Sequence, residues 1–223
     1  VAVDGDETIE VKNTPRKGSI EVKKRGLEGS DTAIFSISGP AGYTVSPSSV
    51  TLDNNDLDNT YPGSYKWSNL PYGQYTITET WGDGNRYTYS TTLSPNPKEV
   101  TVDGNEYIKV NNCAEKYSVT VRKSGLEWGS KFTWPFYWAD KAEFTLTGPA
   151  GPYSDARTAT LDNIPFTGYP SFVVWAGLPA GEYILTESYH GTNHFNYTSS
   201  ITLPLTFNLG PSQAFDIVNY PEK

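Results

Sequence analysis

The chain has 223 residues, which is enough for one large β-domain or for two domains of about 100 residues each. Its formal net charge of -8 argues against binding to phosphate backbones or anionic membranes. The single cysteine, Cys113, excludes an intrachain disulfide, and no apolar run approaches the roughly 18 residues of a membrane span. The 20 glycines, 16 prolines and 16 tyrosines are typical of short strands joined by turns.

The first 13 residues resemble a segment found later in the chain. "VDGDETIEVKN" at 3–13 matches "VDGNEYIKVNN" at 102–112. We therefore expect residues 1–13 to be the last strand of a preceding repeat. The chain contains no methionine, so we also expect it to be a fragment of a longer protein whose repeats continue upstream.

Residues 14–113 carry the signals of short strands separated by turns. "SIEVKKRGL" at 19–27, "YGQYTITET" at 72–80 and "YIKVNN" at 107–112 each contain apolar residues in alternation. Clusters of Gly, Pro, Asn and Asp lie between such runs, and no segment sustains a helical period. The pattern predicts a β-sandwich.

Residues 114–223 repeat this pattern. "SVTVRKSGL" at 118–126, "AGEYILTES" at 180–188 and "AFDIVN" at 214–219 match the three segments above. A period of about 100 residues is typical of tandem domains rather than of solenoid units. We therefore predict an all-β chain with two tandem β-sandwich domains, at 14–113 and 114–223.

In both repeats, three strands end in a polar residue that is in phase with the apolar face. These residues are Lys24, Glu79 and Asn112 in the first repeat and Lys123, Glu187 and Asn219 in the second. Alternation places their side chains on the face that should be dry, where an unpaired charge is costly. A single polar residue at a strand end usually reaches solvent, but the same three types in both repeats indicate a common site.

Lysine, glutamate and asparagine in one apolar site favour a crosslinking reaction. Burial lowers the pKa of a lysine and raises that of a glutamate, so the amine becomes a nucleophile and the carboxyl group a proton donor. Attack of the amine on the asparagine amide would expel ammonia and leave a Lys–Asn isopeptide bond. Fixed contact between the groups would promote this step. Glu79 and Glu187 would act as acid/base catalysts and would not be consumed.

The segments "GSIEVKK", "LPYGQYTITET" and "YIKVNN" resemble the Cna B-type domains of Gram-positive surface adhesins and pilins. The resemblance covers nearly all of 14–112 and 115–219. It implies an immunoglobulin-like, prealbumin-like β-sandwich, in which a first-strand lysine bonds a last-strand asparagine with a glutamate as catalyst. It assigns the lysine role to Lys24 and Lys123, the catalytic role to Glu79 and Glu187, and the acceptor role to Asn112 and Asn219.

The second repeat also contains an aromatic insertion. Trp128, Trp134, Tyr137 and Trp138 lie in "EWGSKFTWPFYWADKAEF", which is longer than its counterpart in the first repeat. Packing over the end of the sandwich, binding to a partner and binding to a sugar all fit this composition. One alternative function is therefore a carbohydrate-binding pair of sandwiches. Another is an accessory region of a secreted enzyme.

The preferred prediction is a structural stalk or pilin backbone on the extracellular, cell-wall-anchored surface of a Gram-positive bacterium, and not a turnover enzyme. The expected partners are other domains of the same protein, neighbouring pilin subunits and a host or matrix ligand, with no nucleic acid or membrane contact. No cofactor or metal is expected, because the acidic turn at 53–59 is not repeated and His190 and His194 are too few ligands for zinc. By analogy with a disulfide, each crosslink would stabilise its domain by about 4–5 kcal/mol.

Overall fold

The computed structural model describes residues 10–53, 62–130, 137–149, 154–162, 170–191 and 193–222. These residues form β-strands joined by turns and irregular segments. Nowhere in these ranges is there a helix with the length and apolar character needed to cross a membrane. The chain divides into two compact units, one of residues 1–85 with 91–113 and one of residues 86–90 with 114–223.

The first eight strands pair into two four-stranded sheets, which we call the first sandwich. The strands are β1 (Lys17–Arg25), β2 (Ala33–Ser38), β3 (Ser49–Leu52), β4 (Ser64–Pro71), β5 (Gly73–Trp81), β6 (Tyr89–Thr91), β7 (Lys98–Val102) and β8 (Asn105–Ala114). One sheet has the order β4-β1-β8-β6 and the other the order β3-β2-β5-β7.

The remaining strands form the second sandwich. They are β9 (Tyr117–Ser124), β10 (Trp128–Ser130), β11 (Tyr137–Ala139), β12 (Ala142–Gly148), β13 (Asp155–Leu161), β14 (Phe172–Leu178), β15 (Gly181–Tyr189), β16 (Tyr197–Ser199), β17 (Leu205–Leu209) and β18 (Gln213–Pro221). Its sheets have the orders β14-β9-β18-β16 and β13-β12-β15-β17, which repeat those of the first sandwich, and β10 pairs with β11 alone. The predicted all-β fold with two β-sandwiches is therefore confirmed.

Alternation along the strands builds each core. In β5, Tyr75 and Ile77 are almost fully buried, while the threonines between them are only partly covered. Ile20 and Val22 of β1 are fully buried and cover the other side of the same core. The second sandwich has a continuous core of the same kind, to which β9, β12, β15 and β18 all contribute. Burial of these side chains is the main favourable contribution to folding.

The first and last strands of each sandwich are neighbours. β1 pairs with β8 in parallel, and β9 pairs with β18 in parallel, although antiparallel pairing holds for the other strand pairs of the described chain. Parallel neighbours cannot be joined by a tight hairpin, so the rest of the sandwich serves as the connection. This arrangement brings residues that are distant in sequence onto adjacent strands.

The predicted strand at 1–13 lies mostly outside the described residues, which begin at residue 10. Residues 10–16 precede β1, are exposed and are not assigned to a strand. Val11, for example, is 74% exposed.

Candidate crosslinking sites

Lys24, Glu79 and Asn112 lie together in the core of the first sandwich. Lys24 on β1 is paired with Val110 on β8, so Asn112 is the next residue on the same face of the neighbouring strand. Glu79 comes from β5 in the opposite sheet. The three residues are 1%, 4% and 7% exposed, respectively. The fold therefore brings together an amine, a carboxyl group and an amide that the sequence spreads over most of the repeat.

Hydrogen bonds fix the carboxyl group in this first site. The amide nitrogen Nδ2 of Asn112 donates to Oε1 of Glu79 at 3.1 Å, and the hydroxyl of Thr91 donates to Oε2. The Lys24 ammonium donates to the carbonyl of Arg25 at 2.6 Å. Oδ1 of Asn112 is buried without a hydrogen-bond partner. An unsatisfied buried acceptor is costly, so this oxygen is well placed to accept a proton donor.

The second sandwich brings Lys123, Glu187 and Asn219 together in the same way. Lys123 is paired with Ile217, so Asn219 again follows one step along the same face. The lysine Nζ lies 3.6 Å from Oε1 of Glu187, and the asparagine Nδ2 donates to that same oxygen at 2.9 Å. Oδ1 of Asn219 and Oε2 of Glu187 are both buried without a hydrogen-bond partner. The relative placement of the three groups is thus repeated.

Both lysines have a strongly perturbed pKa. Burial lowers the pKa of Lys24 and of Lys123 from 10.5 to about 8, although the neighbouring Glu79 or Glu187 carboxylate acts in the opposite direction. At pH 7, a lysine with a pKa of about 8 is neutral roughly 300 times more often than one with the usual value. Desolvation therefore makes a nucleophilic amine available at both sites near neutral pH.

A glycine two residues after each lysine lets the chain pass close to the asparagine. Gly26 has a φ of +82°, and a Cβ at this position would lie 2.0 Å from the backbone oxygen of Asn112. Gly125 has a φ of +79°, and a Cβ there would lie 2.1 Å from the backbone oxygen of Asn219. Other residues are strained at such φ values and too large for the gap. The glycine of "KRGL" and "KSGL" was a sequence signal that we did not interpret.

Two further residues near the glutamates were missed. Thr91 lies on β6, outside every segment that we singled out. Tyr189 lies two residues after Glu187 on β15, so the same alternation could have revealed it. Burial and the charge of Glu187 raise the pKa of the Tyr189 phenol above its usual value. Trp81, the matching residue of the first sandwich by strand pairing, offers no phenol.

A separate buried carboxylate closes one end of the second sandwich. Asp140 accepts hydrogen bonds from the hydroxyl of Tyr197 at 2.7 Å and from the backbone nitrogens of His194 and Phe195 at 2.9 and 3.2 Å. Nδ1 of His194 also lies 3.2 Å from Oδ1 of Asp140. These contacts attach the loop before β16 to the strand that precedes it in the core.

The predicted ligand-binding aromatics are described only in part. Trp134 lies outside the described residues, and for Trp128, Tyr137 and Trp138 only the backbone is described. That backbone places Trp128 opposite Ala139 in the β10–β11 pair. Binding of a ligand by this segment stays a prediction.

Comparison by sequence finds no matching protein-family profile and no match among proteins of curated function. The fold is similar to that of two major pilins of Streptococcus pyogenes. The T-13 pilin aligns over 94% of this chain and 98% of its own, at 14% identity and a TM-score of 0.54. The T3.2 pilin aligns over 93% and 98%, at 12% identity and a TM-score of 0.52.

A third solved structure shows that similar segments occur inside a longer chain. The Bacillus anthracis TIE protein aligns over 92% of this chain, at 17% identity and a TM-score of 0.44, but over only 34% of its own length. The chain thus spans about a third of that protein. At identities this low, the comparisons establish the pilin-like fold and leave the function to be argued from the residues.

Proposed function

We propose that the chain is a structural stalk or pilin-backbone module of a Gram-positive cell-surface protein, in which each sandwich carries one Lys–Asn isopeptide bond. The observation that supports this most is the recurrence, in both sandwiches, of a buried amine, carboxyl group and amide between adjacent first and last strands. The similarity in fold to streptococcal pilins supports an extracellular, cell-wall-anchored location and association with other subunits.

The bond would form in a single turnover in which the chain is both catalyst and substrate. The neutral amine of Lys24 attacks Cγ of Asn112 while a protonated Glu79 donates to Oδ1 and stabilises the developing oxyanion. A half-turn of the amide places Oδ1, which has no partner, where Nδ2 now meets the carboxyl oxygen.

Protons balance without an external reagent. The carboxyl group takes a proton from the attacking nitrogen and passes one to the amide nitrogen. The C–N bond of the amide then breaks and ammonia leaves. The products are a secondary amide between Lys24 and Asn112 and a regenerated Glu79. Lys123, Glu187 and Asn219 would perform the same steps in the second sandwich, and no cofactor is required.

Such a bond suits a load-bearing chain. In each sandwich the chain enters near the first strand and leaves from the last, and these two strands are adjacent. A covalent link between them would carry a pulling force directly from one to the other. The hydrogen bonds and the core of the sandwich would then be spared, and the amide, unlike a disulfide, resists reduction.

Intact-mass spectrometry of the denatured chain tests the proposal. We expect the wild-type mass to fall short of the sequence mass by one ammonia per sandwich. Glu79→Ala or Glu187→Ala should each restore the mass of one ammonia, and the double variant should restore both. Glu99→Ala, which removes a carboxylate on an exposed hydrogen bond to Gln74, is the matched control and should keep the wild-type deficit. A wild-type mass equal to that of the sequence would refute the crosslinks.

A further inference from the structure

The hydroxyl of Thr91 is the contact that distinguishes the first site from the second. It donates to Oε2 of Glu79, the carboxylate oxygen that does not contact Asn112. The backbone nitrogen of Leu93 donates to the same hydroxyl oxygen at 3.0 Å. Because this donor occupies the oxygen's acceptor side, the threonine's own proton is directed to the carboxyl group.

The direction of that proton determines where a neutral Glu79 carries its own. Oε2 accepts from Thr91, so the proton of the carboxylic acid belongs on Oε1. Oε1 is the oxygen that lies 3.1 Å from the amide of Asn112. The acid proton therefore faces the group that must be polarised, and the alternative in which it points away loses the hydrogen bond from Thr91.

We infer that Thr91 is a positioning residue for the first crosslink, which orients the Glu79 carboxyl group so that its proton faces Asn112. The inference rests on the proposed crosslinking reaction and adds a residue to it. Thr91 takes no part in the bonds that form and break. It acts through Glu79.

The second sandwich lacks this contact although its geometry is otherwise repeated. Ser199 lies opposite Asn219 in the β16–β18 pair, yet its hydroxyl oxygen is buried without a hydrogen-bond partner. Oε2 of Glu187 is likewise buried without one. The carboxyl proton of Glu187 is therefore not assigned to one oxygen by a hydroxyl, and removal of the Ser199 hydroxyl should have little effect on the reaction.

The neighbouring hydroxyls show that the difference is local. The backbone nitrogen of Asn111 donates to the hydroxyl of Thr92 at 2.8 Å, and that of Val218 donates to the hydroxyl of Ser200 at 2.9 Å. These residues follow Thr91 and Ser199 directly, so the strands are placed alike in both sandwiches. The contrast is thus confined to one side chain in each.

The rate of crosslinking in newly made full-length chain tests the inference. The chain is synthesised in a cell-free system, quenched at intervals and digested, and the linked peptides of both sandwiches are quantified by mass spectrometry. The second sandwich then serves as an internal clock for the first. In Thr91→Val, which keeps the shape and removes the hydroxyl, we expect the first crosslink to form about tenfold more slowly or worse.

Three controls separate positioning from folding. Thr91→Ser keeps a hydroxyl and should recover most of the rate, and Ser199→Ala should leave the second crosslink within about twofold of wild type, since the energy of a hydrogen bond that is not made cannot be lost. In a Glu79→Ala background, where the first crosslink cannot form, Thr91→Val should not shift the urea midpoint of unfolding.

The possible failures are distinguishable. A first crosslink that forms at the wild-type rate in Thr91→Val would overturn the inference while leaving the proposed function intact. So would a Ser199→Ala variant that slows the second crosslink as much as Thr91→Val slows the first. Absence of both linked peptides from the wild-type chain would instead overturn the proposed function itself.

Discussion

The two sandwiches place the same three groups in the same relative positions but support the glutamate differently. In the first, Thr91 holds the carboxyl group of Glu79, and the side chain of Asn96 forms two hydrogen bonds, of 3.0 and 2.9 Å, with the glutamate's backbone. By the register of β7 and β17, Leu203 stands where Asn96 does and has no amide to offer. In the second, Tyr189 brings a phenol toward the glutamate instead.

This difference teaches which features the chemistry requires. Burial, the offset between lysine and asparagine on adjacent parallel strands, and the glycine against the asparagine backbone occur in both sandwiches. The hydroxyl and amide contacts around the glutamate occur in one. We therefore regard the shared set as the minimum for reaction and the rest as adjustments of rate and stability.

The largest expected effect comes from removing one lysine at a time. Lys24→Met or Lys123→Met keeps the buried volume but removes the nucleophile, so the affected sandwich should lose about 4–5 kcal/mol of stability against urea, as for a disulfide closing a loop of this length. Lys23→Met, at the neighbouring position that faces away from the core, should change stability by less than about 0.5 kcal/mol. Equal losses in the two sandwiches would support a common crosslink, and no loss in either would contradict it.

A smaller effect is expected at the two glycines. Gly26→Ala and Gly125→Ala force a side chain into a positive-φ conformation and against a backbone oxygen, so each should cost at least about 1–3 kcal/mol. Gly104→Ala has open space around the added methyl group and is the control. Urea unfolding measures the cost, and intact mass should show that crosslinking is incomplete in the affected sandwich. A fully crosslinked Gly26→Ala chain of wild-type stability would show that this close approach is not needed.

The smallest effect is the pH dependence, which should be alike in the two sandwiches. The proposed reactive state holds one proton on the lysine–glutamate pair, with the amine neutral and the carboxyl group protonated. Because burial holds the pKa of both lysines at about 8, this proton is lost above pH 8 and the rate should fall by about tenfold per pH unit.

The pH profile also discriminates between mechanisms. If the neutral amine alone were sufficient, the rate would rise up to pH 8 and then level off, since no proton on Glu79 or Glu187 would be needed. Rates of both crosslinks in newly synthesised chain, measured from pH 6 to pH 10, separate the two cases. Midpoints that differ between the sandwiches would show that the lysine environments are less alike than the fold indicates.

Much of the site was predictable because β-strands have a period of two. Lys24, Glu79 and Asn112 continue the apolar alternation of Ile20 and Val22, of Tyr75 and Ile77, and of Ile108 and Val110, and the second repeat contains the same pattern. Thr91 was not predictable in this way. It lies on the three-residue strand β6, too short for any alternation to be read, and its contact with Glu79 exists only because β6 lies beside β8.

By itself, the sequence determined the all-β class, the tandem repeat and the faces on which the six polar residues lie, because local alternation and turn residues decide which side of a strand is buried. Only the tertiary structure decided that the first and last strands are parallel neighbours and that the lysine and asparagine are offset by one step on the same face. Strand order and register depend on how distant segments pack to cover a common core, and the periodicity of one strand carries no information about which other strand will be its neighbour.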